Sequence, residues 1–172
     1  MKKTWRPFIL TAFIILADQL SKAWVVATIP ENRVGAWFFG DFLAIIHVRN
    51  TAVAFSMGST FPTAARLIFF VFLPLVLLGL VIYALCSKRI HLTTPVRWTL
   101  ALFLGGGIGN LIDRIFRALR VVDFISVKFY GIFGLERWPT FNIADACLVV
   151  SGIVLAIILL LEKEEPRNGK ER

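Results

Sequence analysis

Cysteine, histidine and charge are all scarce in this sequence of 172 residues, and each shortage closes a line of chemistry. Cys86 and Cys147 are too few for a disulfide framework and lack the C-x-x-C or Cys/His spacing of a metal site. Charged residues make up 17% of the chain and apolar ones 58%, whereas a soluble domain carries about a quarter charged residues. An ordinary water-soluble enzyme is therefore the wrong class, and a mean hydropathy of +0.77 points to lipid as the main solvent. Acid is the rarer charge, with 11 Asp+Glu against 19 Lys+Arg and a net charge of +8. Five of these acids are aspartates: Asp18, Asp41, Asp113, Asp123 and Asp145.

What the sequence does have is apolar length. Stretches at about 8–28, 64–85, 96–115 and 143–161 each approach the roughly 20 residues that a helix needs to cross the hydrocarbon of a bilayer. Lys2, Lys3 and Arg6 precede the first stretch as they would in a cleavable signal peptide, but no A-x-A-like site follows and the run continues through Asp18 and Lys22. It is read as a retained span. The expected fold is thus an all-α membrane protein with four transmembrane helices, one domain over 1–172, two long outer loops at 29–63 and 116–141, and a polar tail at 162–172 expected to be disordered.

Basic residues orient the chain, because Lys and Arg stay in cytoplasmic segments. With the amino terminus inside, segments 1–7, 86–97 and 162–172 hold ten Lys and Arg in 30 residues, against six in the 61 residues of the outer loops. Both termini are expected in the cytoplasm. The basic surplus is then an orientation signal, and nucleic acid has no part in the reading. The outer loops carry Trp37-Phe38-Phe39, the run Phe42 to Val48, Phe129-Tyr130, Phe133 and Trp138, a composition that suits short strands and headgroup-level segments. A small β-like platform with an interfacial segment is expected on the outer side.

Polar residues in the spans carry the functional signal, since lipid excludes charge at a cost of a few kcal/mol or more. In outward-running helices Asp18, Lys22, Asn110 and Asp113 come late, and in the inward-running last helix Asn142 and Asp145 come first. All lie near the outer leaflet, and Asp123 follows the third span closely enough to share that depth. Asp18 and Lys22 stand four apart on one helix face, which suits an ion pair serving either packing or function. Gly106, Gly109, Asn110 and Asp113 form one stripe, and small residues there let another helix come close. The spacing Asn142 to Asp145 fits a helix N-cap, a purely structural reading that stays open beside a chemical one. Capping does not account for Asp123, flanked by Val121-Val122 and Phe124-Ile125, where an unpartnered carboxylate is costly.

Other chemistries are weaker. His47 and His91 fall on opposite sides of the membrane in this topology and cannot join in one metal site or triad. Cys147 has no histidine near it in sequence to activate it, and Ser56 and Ser126 lack a base. A carboxylate pair remains: two aspartates held close share one proton, so that one acts as base and the other as acid on a water and a peptide carbonyl.

The blocks Asp18-Gln19-Leu20-Ser21-Lys22, Asn50-Thr51-Ala52-Val53-Ala54-Phe55-Ser56, Gly106-Gly107-Ile108-Gly109-Asn110-Leu111-Ile112-Asp113-Arg114, Val122-Asp123-Phe124 and Phe141-Asn142-Ile143-Ala144-Asp145 occur in that order. Together they resemble the signature of the bacterial lipoprotein signal peptidase family, also called signal peptidase II. The resemblance implies a membrane aspartic endopeptidase without metal or organic cofactor, with Asp123 and Asp145 as its catalytic dyad. It implies that Asp18, Lys22, Asn50, Asn110, Arg114 and Asn142 support the site or bind substrate, Asn142 orienting its neighbouring aspartate and Arg114 tying the third span to the outer loops. The implied substrate is a diacylglyceryl-modified prolipoprotein cleaved just before its lipidated cysteine. The implied place is the bacterial cytoplasmic (inner) membrane, in contact with membrane lipid, with the active site at the outer leaflet; no obligatory protein partner is evident in the sequence. The family pattern usually has glycine where Ala52 stands and another where Leu119 stands. The competing readings are a small transporter or proton-coupled channel using Asp18, Lys22 and Asp113, and a scaffold whose buried charges only pair helices.

Overall fold

The computed structural model describes residues 5–51 and 61–164. Among them, four helices are long and apolar enough to span a bilayer: α1 (Arg6–Thr28), α2 (Thr63–Cys86), α3 (Thr94–Phe116) and α4 (Ile143–Glu164). Three antiparallel strands, β1 (Val34–Phe38), β2 (Leu43–Asn50) and β3 (Val121–Val127), lie side by side in chain order. The protein is therefore mostly helical with one small sheet, as expected. The expected disordered tail needs correction at its start: α4 continues to Glu164, because residues 159–164 are all strong helix formers with neither glycine nor proline among them. Residues 165–172 lie outside the described part, as do Ala52 and Ser56.

Burial in α1 follows the helical period. Pro7, Thr11, Ile14, Asp18, Lys22 and Val25 are buried, while Ile9, Phe13, Leu16, Leu20 and Trp24 face outward. The inward stripe packs on α3, the central helix, where the Thr11 hydroxyl donates to the Ala101 carbonyl at 2.9 Å. α3 also contacts α2, through Leu104 and Leu111 against Leu78, Val81 and Leu85, and α4. In α4 Val149, Val150, Ile153 and Ile157 are exposed, the surface expected of a helix in lipid.

Glycines set how closely these helices approach. A Cβ on Gly105 would lie 2.8 Å from Ile14, one on Gly106 would lie 2.5 Å from the Ala144 carbonyl, and one on Gly109 would meet the Asp18 carboxylate at 2.7 Å. The expected small-residue stripe is thus a double seam, touching α1 on one side and α4 on the other. In α2 the π-helical turn Ile68–Phe72 precedes Pro74, whose missing N–H and ring would conflict with a regular turn there.

The sheet is anchored beneath by Val122 and Phe124, which pack on Val25 and Ile29 at the end of α1. β2 bulges between Ile45 and Val48, after which Val48 faces Asp123 and Asn50 faces Val121. On its other edge β3 is covered by the segment leading into α4, with reciprocal bonds between Ile125 and Phe141 at 2.8 and 3.0 Å. At the end of α3, Ala118 and Leu119 take left-handed φ of 52° and 62°, and the Leu119 N–H donates back to the Arg114 carbonyl at 3.1 Å. The left-handed turn for which glycine is best suited is therefore kept here by Ala118 and Leu119.

Candidate active site

Polar residues from three helices and two strands meet at one end of the bundle: the late parts of α1 and α3, the start of α4, and the sheet. Lys22 is at the centre and is fully buried. Its ammonium has three hydrogens and three acceptors: Asp18 Oδ2 at 2.8 Å, Asp113 Oδ2 at 3.0 Å and Asn110 Oδ1 at 3.0 Å. Asp18 and Asp113 are also fully buried. Arg117 supplies the second positive charge, its Nε lying 3.1 Å from Asp113 Oδ1, so two carboxylates meet two cations. Gln19 closes the group by donating to Asp18 Oδ2, the Gly109 carbonyl and Asp113 Oδ1. Such a buried cluster is tolerable only when each charge is paired and hydrogen-bonded, as it is here.

Asp123 and Asp145 lie beside this cluster, linked to it by amides. Asn110 accepts from Lys22 and from Asn142 Nδ2 on its oxygen, which turns its own Nδ2 toward Asp145 Oδ1 at 2.7 Å. Asn142 Nδ2 also donates to Asp123 Oδ1 at 2.7 Å, and Asn50 Nδ2 donates to Asp123 Oδ2 at 3.0 Å. Asn142 and Asp145 form a reciprocal cap: the Asp145 N–H donates to Asn142 Oδ1 at 2.8 Å and the Asn142 N–H to Asp145 Oδ2 at 3.2 Å. Capping and carboxylate contact are thus done by the same residue. Burial pushes the Asp123 carboxyl up from an ordinary 3.8 to about 7, and the Asp145 charge pushes the same way, against the pull of Asn50 and Asn142.

Both carboxylates line a cleft of about 1170 Å³. Its polar end has Asn50, Asn110 and Arg114, and its apolar length is formed by Phe69, Pro74 and Leu77 of α2 with Val149 and Val150 of α4. The guanidinium of Arg114 sits 4.7 Å from the Phe70 ring centroid and donates to the Leu119 carbonyl at 3.4 Å, joining α3 to both α2 and the turn before β3. A site of this kind can hold an extended backbone against the sheet while apolar chains lie between α2 and α4.

Every candidate residue from the sequence lies in or beside this cluster: Asp18, Lys22, Asn50, Asn110, Arg114, Asp123, Asn142 and Asp145. Asp41 stands apart in the turn between β1 and β2, paired with Lys128. Sequence reasoning missed Gln19 and Arg117, although a polar Gln in a span and an Arg four residues after Asp113 were both available signals. His47 is buried at the sheet, Nδ1 lying 2.7 Å from the Ile29 carbonyl, and is not in the cleft. Cys86 and Cys147 are both free thiols. Among the described residues, no three His, Cys, Asp or Glu side chains are grouped to hold a metal ion.

Comparison with known proteins accords with this geometry. The family described as Signal peptidase (SPase) II matches residues 10–161. The chain is similar to a lipoprotein signal peptidase of Treponema denticola, with 47% identity over 99% of this chain and 97% of that protein. It is also similar to one of Borrelia duttonii, with 45% identity over 93% of this chain and 92% of that protein. In structure it resembles a bacterial membrane enzyme solved by the in meso method at 1.9 Å resolution, with a TM-score of 0.75, 25% identity and 94% of each chain covered. A second bacterial membrane enzyme, solved at 2.3 Å, shares the fold with a TM-score of 0.79 at 24% identity, covering 97% of this chain and 94% of that one. With its fold, its cluster of polar residues and these relatives together, the chain belongs to the lipoprotein signal peptidase (signal peptidase II) family.

Proposed function

We propose that this protein removes the signal peptide from diacylglyceryl-modified prolipoproteins, cleaving just before the lipidated cysteine, with Asp123 and Asp145 as the catalytic pair. The observation that carries this reading is the pairing itself: two carboxylates are held by amide donors, Asn142 bonding Asp123 and capping with Asp145, and both line one cleft. One proton is shared between them. The anionic member takes a proton from water as the water oxygen bonds to the peptide carbonyl carbon, while the other gives its proton to the carbonyl oxygen. As the tetrahedral diol collapses and the C–N bond breaks, the leaving amine takes the proton that came from water, and the other aspartate takes one diol proton, so the pair again holds a single proton. Asn110, Asn142 and Asn50 hold the carboxylates in place, and Arg114 stands at the cleft wall where a substrate carbonyl can meet it.

The same reading places the enzyme in the bacterial cytoplasmic (inner) membrane with both termini in the cytoplasm and the site at the outer leaflet. The excess of Lys and Arg in the segments at the opposite end of the bundle supports this orientation. The lipid of the substrate then holds the scissile bond at the depth of the aspartates. Transport is disfavoured, because among the described residues the buried charges Asp18, Lys22, Asp113 and Asp123 all gather at one end of the bundle.

The test is purified full-length protein with a diacylglyceryl-modified precursor in detergent, free of metal and ATP. Signal-peptide release is expected, and Asp123→Asn and Asp145→Asn are each expected to lower the rate by about 10²- to 10⁴-fold. Normal release by either folded variant would overturn the pair.

A further inference from the structure

Asp18 and Asp113 are not bonded to the two proposed catalytic carboxylates, yet each of them grips the chain one residue before one of those carboxylates. Asp113 Oδ2 accepts the backbone N–H of Val122 at 3.1 Å, and Val122 precedes Asp123. Asp18 Oδ1 accepts the backbone N–H of Ala144 at 3.0 Å, and Ala144 precedes Asp145. Both anchoring aspartates, on different helices, are joined by Lys22, at 2.8 and 3.0 Å. All three side chains are fully buried, so the bonds are dry and charge-assisted.

We infer that Asp18, Lys22 and Asp113 form a clamp that sets the separation of Asp123 and Asp145 by holding the backbone just before each. This inference rests on the proposed catalytic pair. These three are positioning residues: their action reaches the reaction only through Val122 and Ala144.

Its geometry explains what a simple helix-pairing role does not. An ion pair between α1 and α3 needs only Lys22 and one acid. Here there are two acids, each with one oxygen on the lysine and an oxygen on a main-chain N–H, and the N–H groups belong to elements that carry the reacting groups, β3 and α4. Asp113 uses one oxygen for both, whereas Asp18 divides them, Oδ2 to the lysine and Oδ1 to Ala144. Asp18 and α4 must both come close to α3 for this, and Gly109 leaves the room, since a Cβ there would lie 2.7 Å from the Asp18 carboxylate and 3.1 Å from Ala144 Cβ. A backbone bond also has an advantage over a side-chain bond: it fixes where the Cα of the next residue lies, while the asparagines fix only how its carboxylate is turned. The two sets of contacts are complementary, one for place and one for direction.

The experiment uses the full-length protein in detergent micelles with the diacylglyceryl-modified precursor, comparing Asp113→Ala, Asp113→Asn, Asp18→Ala and Asp18→Asn with Asp123→Asn. Each is assayed for kcat, KM, thermal unfolding and amide hydrogen exchange. Asp113→Ala is expected to speed exchange at Val122 but not at Ala144, and Asp18→Ala the reverse. Both should lower kcat by about 10²-fold with KM within twofold of the parent, since a small misplacement of reacting groups has an effect of that order. The asparagine variants keep a carbonyl acceptor for the N–H and should recover about tenfold of the loss. If the alanine variants do not fold, the asparagine variants carry the test, through loss in kcat at unchanged KM with exchange raised at the one amide. Unchanged kcat in a folded variant, a loss confined to KM, or equal exchange at both amides would overturn the clamp. Full activity of Asp123→Asn would instead overturn the catalytic pair on which it rests.

Discussion

At the scale of single residues, Asn50 is the most informative contact of Asp123 because it acts on one protonation state. Its Nδ2 donates to Asp123 Oδ2 at 3.0 Å, and a donor favours the anion. Burial and the charge of Asp145 favour the acid, and the balance places this carboxyl at about 7. A pair that needs one shared proton loses activity as pH rises through that value. Asn50→Ala removes a pull toward the anion, so the alkaline limb of kcat/KM should move to higher pH by about one unit or less, the equivalent of one hydrogen bond of about 1 kcal/mol. A pH–rate profile that stays in place, or shifts to lower pH, would show that Asn50 does not act on the titrating group. The sign for stability is separate: the folded pKa of Asp123 lies above the unfolded one, so this group makes the fold less stable as pH rises from about 4 to 7.

Some of this was readable from single residues and some was not. Asp18 and Lys22 declared themselves by a spacing of four, and Asn142 and Asp145 by a spacing of three. Asp123 showed itself as an unexplained acid among apolar neighbours, close enough to the end of the third span to share the depth of Asp145, and the family resemblance then implied the two as a dyad. The bonds to the Val122 and Ala144 N–H groups have no sequence signature, because a main-chain donor is the same at every residue.

At the scale of elements, the helical period revealed which face of α3 is small but not what packs there. Pattern fixes the face of a helix, whereas the rotation and register of its neighbour depend on the whole bundle. Gly106 shows the consequence. A Cβ there would stand 2.5 Å from the Ala144 carbonyl and 3.2 Å from Cys147 Cβ, so α4 has to move. Gly106→Ala should destabilise the protein by about 1–3 kcal/mol, the usual penalty of overpacking, and depress turnover because Ala144 precedes Asp145. Gly79 and Gly152 are built-in controls on α2 and α4, with nothing within 4 Å of the added carbon. Gly79→Ala and Gly152→Ala should leave stability unchanged or raise it by about 0.5–1 kcal/mol, through better helix propensity. Thermal unfolding of the three purified variants checks the contrast, and a uniform response would remove the seam from the argument. Pro74 was equally visible in the sequence, though not the π-helical turn that accommodates it, since a proline in a span can be met by a kink, a turn of this kind or a solvated carbonyl.

At the scale of the whole molecule, composition and charge bias were enough to establish four spans and to suggest their direction. The sheet was foreseeable from β-branched and aromatic residues in the loops, but not its strand order or the bulge that brings Val48 opposite Asp123. α2 and α4 both pack on α3, and the cleft lies between them, walled by residues such as Phe69, Leu77, Val149 and Val150 that are exposed on the bundle surface. That placement makes the cleft a side door, open to the plane of the bilayer. A precursor that enters by it searches in two dimensions, so its effective concentration is a mole fraction among lipids. Diluting enzyme and precursor with inert phospholipid in mixed micelles, at constant bulk concentrations of both, should therefore slow the reaction, with rate set by precursor per lipid. A rate that follows bulk concentration alone would mean that the peptide arrives from water, and that the door between α2 and α4 is not the one in use.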